Sequence, residues 1–428
     1  MSDIHSFLIH PSLGLAAILS SAAIFGALGF GFSVEWFSVT VLGLLSFTVG
    51  CFLSKFDKNS SIALIISEVM VFIVIFVSFR KITGSDPLLI SASWLAVANA
   101  SALLIKEKKV RFPVYSAISF SLGAFLVIHS FSSIKSIAEL RSSASVPLEG
   151  AFGMLLIFIS YPSLFDWLLK TNRILSSLFS VISIILMVLH GFRADAILVL
   201  LSTFLIVWRR NKKTSYAILV SVFLLYIAVD IIRNKLVISA LERPLFRLST
   251  TYFYSKELAS HFFKILPIEP FWLTSVPLHP SQTIGRGIFG KEFGITPTIF
   301  VGILLDLGLV GVILLSFLLG FVSGKSYRSF LKEDDSFSYL IIWPILITRT
   351  EIGLTQLDLA LIFGSTIFSV LLNFLKGGSS SFDGSNHAVL LPWPRDARGQ
   401  ETHRREDKSK QGEEEKGSRE TSSTNCDR

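Results

Sequence analysis

The sequence predicts an all-α polytopic membrane protein with about twelve transmembrane helices and one large external loop. Three observations carry this. First, 51% of the 428 residues are hydrophobic and only 16% charged, where soluble domains carry about a quarter charged residues. Second, the apolar residues fall in runs that approach the roughly 20 needed for a helix to cross a bilayer, where every backbone polar group must be satisfied internally. Third, lysine and arginine sit in short clusters between those runs. The formal charge of +8 therefore reads as a topology signal and not as a nucleic-acid surface.

The spans fall near 8–30, 36–54, 61–79, 87–105, 114–133, 151–169, 174–190, 194–208, 214–232, 297–323, 336–348 and 355–375. The first follows His5 with no basic leader or small-residue cleavage site, so it reads as a retained span. The runs at 194–208 and 336–348 are short for a full crossing and must tilt, thin the bilayer or lean on neighbours.

Alternate short loops differ in charge. One set holds fifteen basic residues, among them Lys106, Lys108, Lys109, Arg111, Arg209, Arg210, Lys325 and Arg328; the other holds six, namely Arg80, Lys81, Lys135, Arg141, Arg193 and Arg349. Basic residues are retained on the cytoplasmic side, so both termini are expected there. The large loop, about 233–296, is then external. Its charges are interleaved with Tyr252, Phe253, Tyr254, Phe262, Phe263, Phe271 and Trp272, which suits short helices at headgroup level in contact with membrane lipid. A smaller external loop covers 134–150.

Residues 1–376 form the membrane domain. From 377 to 428 the chain carries nine basic and ten acidic residues with little apolar content, too little to bury a core, so a disordered cytoplasmic tail is expected. Cys51 lies in an apolar run and Cys426 in the tail, so neither a disulfide framework nor a paired-cysteine metal site is expected.

Charges in or beside spans usually face an interior or an aqueous cavity. Arg193, Arg349, Arg286 and Lys291 would place four cations on the external face. That is the arrangement a phosphate or pyrophosphate needs: guanidinium forks for paired oxygens and ammonium for further charge. The competing reading is snorkelling, with helix-end pairing to Asp195, Glu351 and Asp358. Glu68 and Asp166 lie toward the cytoplasmic half and read as structural hydrogen-bonding groups. Asp306, about three turns into its span, is placed to line a cavity beneath the loop or to meet a buried arginine.

His279 titrates near neutrality and suits a general base for an attacking hydroxyl. His261 is its rival, and their separation of eighteen residues is no metal signature. The first external loop holds only Glu35, so a metal-held sugar donor there is not supported. No phosphate-binding Gly-rich loop, dinucleotide fingerprint or nucleophile elbow occurs. Neither a cofactor nor a metal is expected.

Three features resemble the oligosaccharide repeat-unit polymerases of the Wzy type and, more distantly, the O-antigen ligases. They are the turn Gly191-Phe192-Arg193, the single large late loop, and its exit from His279 through Thr296-Pro297-Thr298 to the glycines at 302, 308 and 311. The resemblance covers roughly 185–325, and Asp306 departs from the family pattern. Glycines at such spacing also serve close helix packing. The resemblance implies transfer of a polyprenyl-(pyro)phosphate-linked oligosaccharide to the sugar end of another lipid-linked repeat unit on the outer face, without a nucleotide sugar. Here His279 would act as base, Arg193 and Arg286 as clamps on the leaving pyrophosphate, and Lys291 and Arg349 as further substrate-binding cations. A flippase and a chain-length regulator are the partners it implies.

Three rivals remain. A lipid-linked-sugar flippase or transporter predicts repeated halves and midplane charges, whereas these charges concentrate at one face. A ligase shares donor and chemistry with a polymerase, so sequence leaves the two open. A transferase using a lipid monosaccharide is disfavoured by the absent acidic motif.

Overall fold

The computed structural model describes residues 6, 9–57, 61–82, 114–132, 148–189, 193–221, 224, 237–266, 284–285, 288–290, 295–332, 337–355 and 358–367. Among them every regular element is helical; the principal helices are α1 Pro11–Phe30, α2 Val34–Leu53, α3 Ser61–Ile82, α4 Val114–Ser132, α5 Leu148–Thr171, α6 Arg173–Leu189, α7 Arg193–Arg210, α8 Val237–Phe262, α9 Ile299–Leu331, α10 Phe337–Arg349 and α11 Asp358–Ile367, and residues 212–221, within the expected span at 214–232, are helical as well. Among the described residues four stretches are long and apolar enough to cross a membrane by themselves: Pro11–Phe30, Val34–Phe56, Gly153–Thr171 and Ile299–Leu331. The expected span at 87–105 and the tail lie outside the described residues, as does the expected loop at 134–150 up to Leu148, where α5 begins.

Local chemistry sets the helix ends. Pro11 opens α1, where its missing N–H is no loss, and Gly31 closes it at φ 77°, which a side chain would strain. Ser33 caps α2 by accepting the Trp36 amide at 3.2 Å. The Asp57 carboxylate takes the Ala63 amide at 2.9 Å and so starts α3.

α2 and α9 pack backbone against backbone. An added Cβ at Gly50 would lie 2.2 Å from the Phe317 carbonyl oxygen, and one at Gly320 would lie 2.0 Å from that of Phe47. Bare glycine lets the two backbones approach without hydrophobic driving force, which lipid does not supply. At one end of this pair Arg328 holds the Cys51 carbonyl at 3.2 Å and also bonds Ser54.

α7 is buried along almost its whole length, from Leu198 to Trp208, as a helix apolar on all sides must be. It packs on α5, α6 and α10. Tyr161 Oη joins Thr203 Oγ1 at 2.6 Å and Ser180 at 3.1 Å, and Ser202 donates to the Leu340 carbonyl at 2.7 Å. α6 turns Ile174, Leu178, Val181, Ile182 and Ile185 outward, the face a membrane helix gives to lipid.

The expected span at 297–323 is longer and broken. α9 runs to Leu331, with Gly308 inside it at φ 67°, ψ −170°, a region open essentially to glycine alone. The break frees two amides, and the chain just after α8 takes them: Leu309 N–H bonds the Lys264 carbonyl at 3.0 Å and Val310 N–H that of Ile265 at 3.3 Å. The large loop also holds more than short helices, because α8 alone is 26 residues.

Candidate functional site

The start of α7, the end of α10, the start of α11 and the entry to α9 meet at one place. The Ile299 amide donates to the Thr350 carbonyl at 3.0 Å, and Gly353, at φ 81°, lies against Pro297. At this junction Arg349, the last residue of α10, sits between two carboxylates. Its Nε donates to Asp358 Oδ1 at 3.0 Å and its Nη2 to Asp195 Oδ1 at 3.4 Å, with only 16%, 2% and 8% of the three side chains exposed.

The helix ends explain why such a group is tolerable. Asp195 lies in the first turn of α7 and Asp358 opens α11, both at the positive end of a helix dipole, while Arg349 lies at the negative end of α10. Asp358 also completes a reciprocal cap. Its Oδ2 accepts the Thr355 amide at 2.8 Å and hydroxyl at 2.7 Å, while its own amide donates to Thr355 Oγ1 at 3.2 Å. Beside the group, Glu351 pairs with Arg247 of α8 at 2.5 Å, so the large loop is tied to the same junction.

A second tie joins α8 to the α1–α2 turn. Tyr252 Oη donates to the Gly31 carbonyl at 3.0 Å and accepts the Ser33 amide at 3.1 Å. Burial pushes its phenol above the usual value of 10, so it stays protonated and able to do both. Lys256 reaches the Phe30 carbonyl at 2.8 Å, and Ser255 accepts the Thr298 amide at 2.8 Å.

Of the residues singled out from sequence, Arg349 is placed at this junction and Asp306 is buried in the first part of α9, two residues before the break. Arg193 is the first residue of α7. His279, Arg286 and Lys291 lie outside the described residues. Asp166 is held by Lys170 at 2.7 Å and by Arg210 at 2.6 Å, a structural pairing near the ends of α5 and α7. His261 contacts the Glu257 carbonyl one turn back in its own helix, at 2.8 Å.

Sequence reasoning admitted Asp195, Glu351 and Asp358 only as helix-end partners. For Arg349 the structure shows that pairing, so its guanidinium is already engaged and is not a free cation on the external face. One local signal was legible: Thr355-x-x-Asp358 has the spacing of a capping box. Nothing local marked Arg247 as the partner of Glu351.

A family model described as "Putative O-antigen polymerase" matches residues 35–363. The matched stretch includes Arg193, His279, Arg286, Lys291, Asp306 and Arg349. No curated protein and no solved structure matches the chain.

Proposed function

The chain belongs to the O-antigen polymerase family, and from that premise we propose that it joins lipid-linked oligosaccharide repeat units on the outer face of the membrane. Membership makes it a membrane protein and a repeat-unit polymerase of surface polysaccharide biosynthesis, an enzyme of the glycosyltransferase type whose substrates are lipid-linked oligosaccharides. The family match is the observation that carries the reading.

The reaction sets the chemical needs. A hydroxyl of one repeat unit attacks the anomeric carbon of another, the bond from that carbon to the phosphate oxygen breaks, and the electron pair leaves with the polyprenyl pyrophosphate. The proton of the hydroxyl goes to the base, assigned to His279. Arg193 and Arg286 take the charge that grows on the leaving pyrophosphate, and Lys291 adds to it. Preorganised cations in a dehydrated site stabilise such charge strongly, and losing one costs about a hundredfold in rate or more. Arg349, held by Asp195 and Asp358, supports this site from within the protein.

The topology that suits this chemistry has about twelve spans, both termini in the cytoplasm and the loop at 233–296 outside. A flippase would deliver the repeat units, and a chain-length regulator would set the length of the product.

The test is the glycan length distribution on lipid and surface fractions of cells that lack the protein, complemented with wild type, Arg193→Ala or His279→Ala. Single repeat units accumulating in the null strain and with both variants are expected. Full-length polymer remaining on the lipid carrier would make the protein a ligase, and repeat units trapped on the cytoplasmic face would make it a flippase.

A further inference from the structure

We infer that Asp195, Arg349 and Asp358 act as a strut that positions Arg193 for the polymerase reaction. This rests on the reading of Arg193 as a pyrophosphate clamp.

The strut binds three helix ends through one guanidinium. Arg349 ends α10, Asp358 opens α11, and Asp195 stands two residues after Arg193 in the first turn of α7. The rest of α7 is fixed by close packing and by Ser202 and Thr203. Its first turn borders on 190–192, outside the described residues, and the ion pair from Asp195 to Arg349 ties that turn to the bundle. The direction of the turn decides where residue 193 is held.

Two arguments favour a strut over a substrate contact for Arg349. Its charge is opposed by two buried carboxylates, so a phosphate arriving here would meet net negative charge before the helix-dipole contribution. The group is also shut away from solvent, with only 16% of the Arg349 side chain, 8% of Asp195 and 2% of Asp358 exposed.

Stability alone does not account for an ionic group in this position. A well-packed apolar trio of similar volume often holds helices as firmly as a buried ion pair. What the guanidinium adds is direction, because its planar fork constrains where the oxygens of both partners lie.

The experiment uses purified full-length protein in lipid nanodiscs, with lipid-linked repeat units extracted from cells lacking the protein, and reads initial rates of chain extension. Asp195→Asn, Arg349→Lys and Asp358→Asn are each measured alone and in an Arg193→Gln background, with unfolding midpoints recorded alongside. Each single variant is expected to lower kcat about ten- to a hundredfold, as small misplacements of a positioning group do, with donor KM changed less than about twofold. In the Arg193→Gln background the same changes are expected to cost less than about a further twofold, since they act through the missing group.

Equal losses in both backgrounds would overturn the strut. So would a raised donor KM at unchanged kcat in Arg349→Lys, which would make Arg349 a substrate contact. A fully active Arg193→Gln sinks the clamp reading itself, whereas an impaired Arg193→Gln with undiminished effects of the three variants sinks the strut alone. Should Asp195→Asn fail to fold, Asp358→Asn, whose amide oxygen still caps Thr355, carries the comparison.

Discussion

Arg349 Nε and Asp358 Oδ1, nine positions apart in the chain, lie 3.0 Å from each other, and the Asp358 side chain is 2% exposed. Removing one partner of a buried pair strands the other charge, at a cost of about 3 to 5 kcal/mol. Arg349→Ala is therefore expected to lower the unfolding midpoint of the solubilised protein sharply. Asp358→Asn should be milder, because asparagine can still accept from Thr355. Equal midpoints for Arg349→Ala and wild type would show that the pair contributes nothing to the fold.

Gly308 is the residue at which α9 breaks. A Cβ there would lie 2.6 Å from the Ile265 carbonyl oxygen and 2.9 Å from Leu266 Cα, on a backbone with φ 67°. Gly308→Ala is expected to destabilise by about 1 to 3 kcal/mol from the backbone conformation alone, and further from the clash. Gly364 in α11 has open space around its Cβ position, so Gly364→Ala should be neutral or stabilising by up to about 1 kcal/mol. Membrane abundance and unfolding midpoints of the two variants check the contrast.

Tyr252 ties α8 to the α1–α2 turn through one hydroxyl with two partners. Tyr252→Phe leaves the buried Ser33 amide without its acceptor, which costs about 1 to 3 kcal/mol, and faster hydrogen exchange at residues 31–33 is the readout. Because burial raises the phenol above its unfolded value of 10, the contribution is fully present below pH 10 and declines as pH climbs beyond it. Loss of the tie on lowering the pH from 8 to 6 would contradict the assignment.

The α2–α9 contact depends on glycine at Gly50 and Gly320, where an added Cβ would meet backbone oxygen at 2.2 and 2.0 Å. Backbone cannot swing aside as a side chain can, so Gly320→Ala is expected to cost about 1 to 3 kcal/mol or more by overpacking. Gly29 on α1 has nothing within 4 Å of its Cβ position, and Gly29→Ala should leave membrane abundance unchanged.

The sequence by itself determined the class of the molecule. Apolar runs separated by basic clusters in a chain with 16% charged residues leave little choice, because lipid admits only backbone that bonds to itself. The helix over Phe337–Arg349 and the start of α7 at Arg193 were legible for the same reason, hydropathy being a property of neighbouring residues. The exit Thr296-Pro297-Thr298 and the turn ending at Arg193 carried the family resemblance, and the family match confirms it.

The tertiary structure alone decided how those helices meet. Asp195 and Arg349 are 154 residues apart, and no local pattern states that the first turn of α7 faces the last turn of α10. Gly302, Gly308 and Gly311 look alike in the sequence, yet only Gly308 has positive φ, because only there does the chain following α8 press its carbonyls against the helix. Which charges remain free and which are already paired depends on contacts between distant segments, and the chain settles those only by folding.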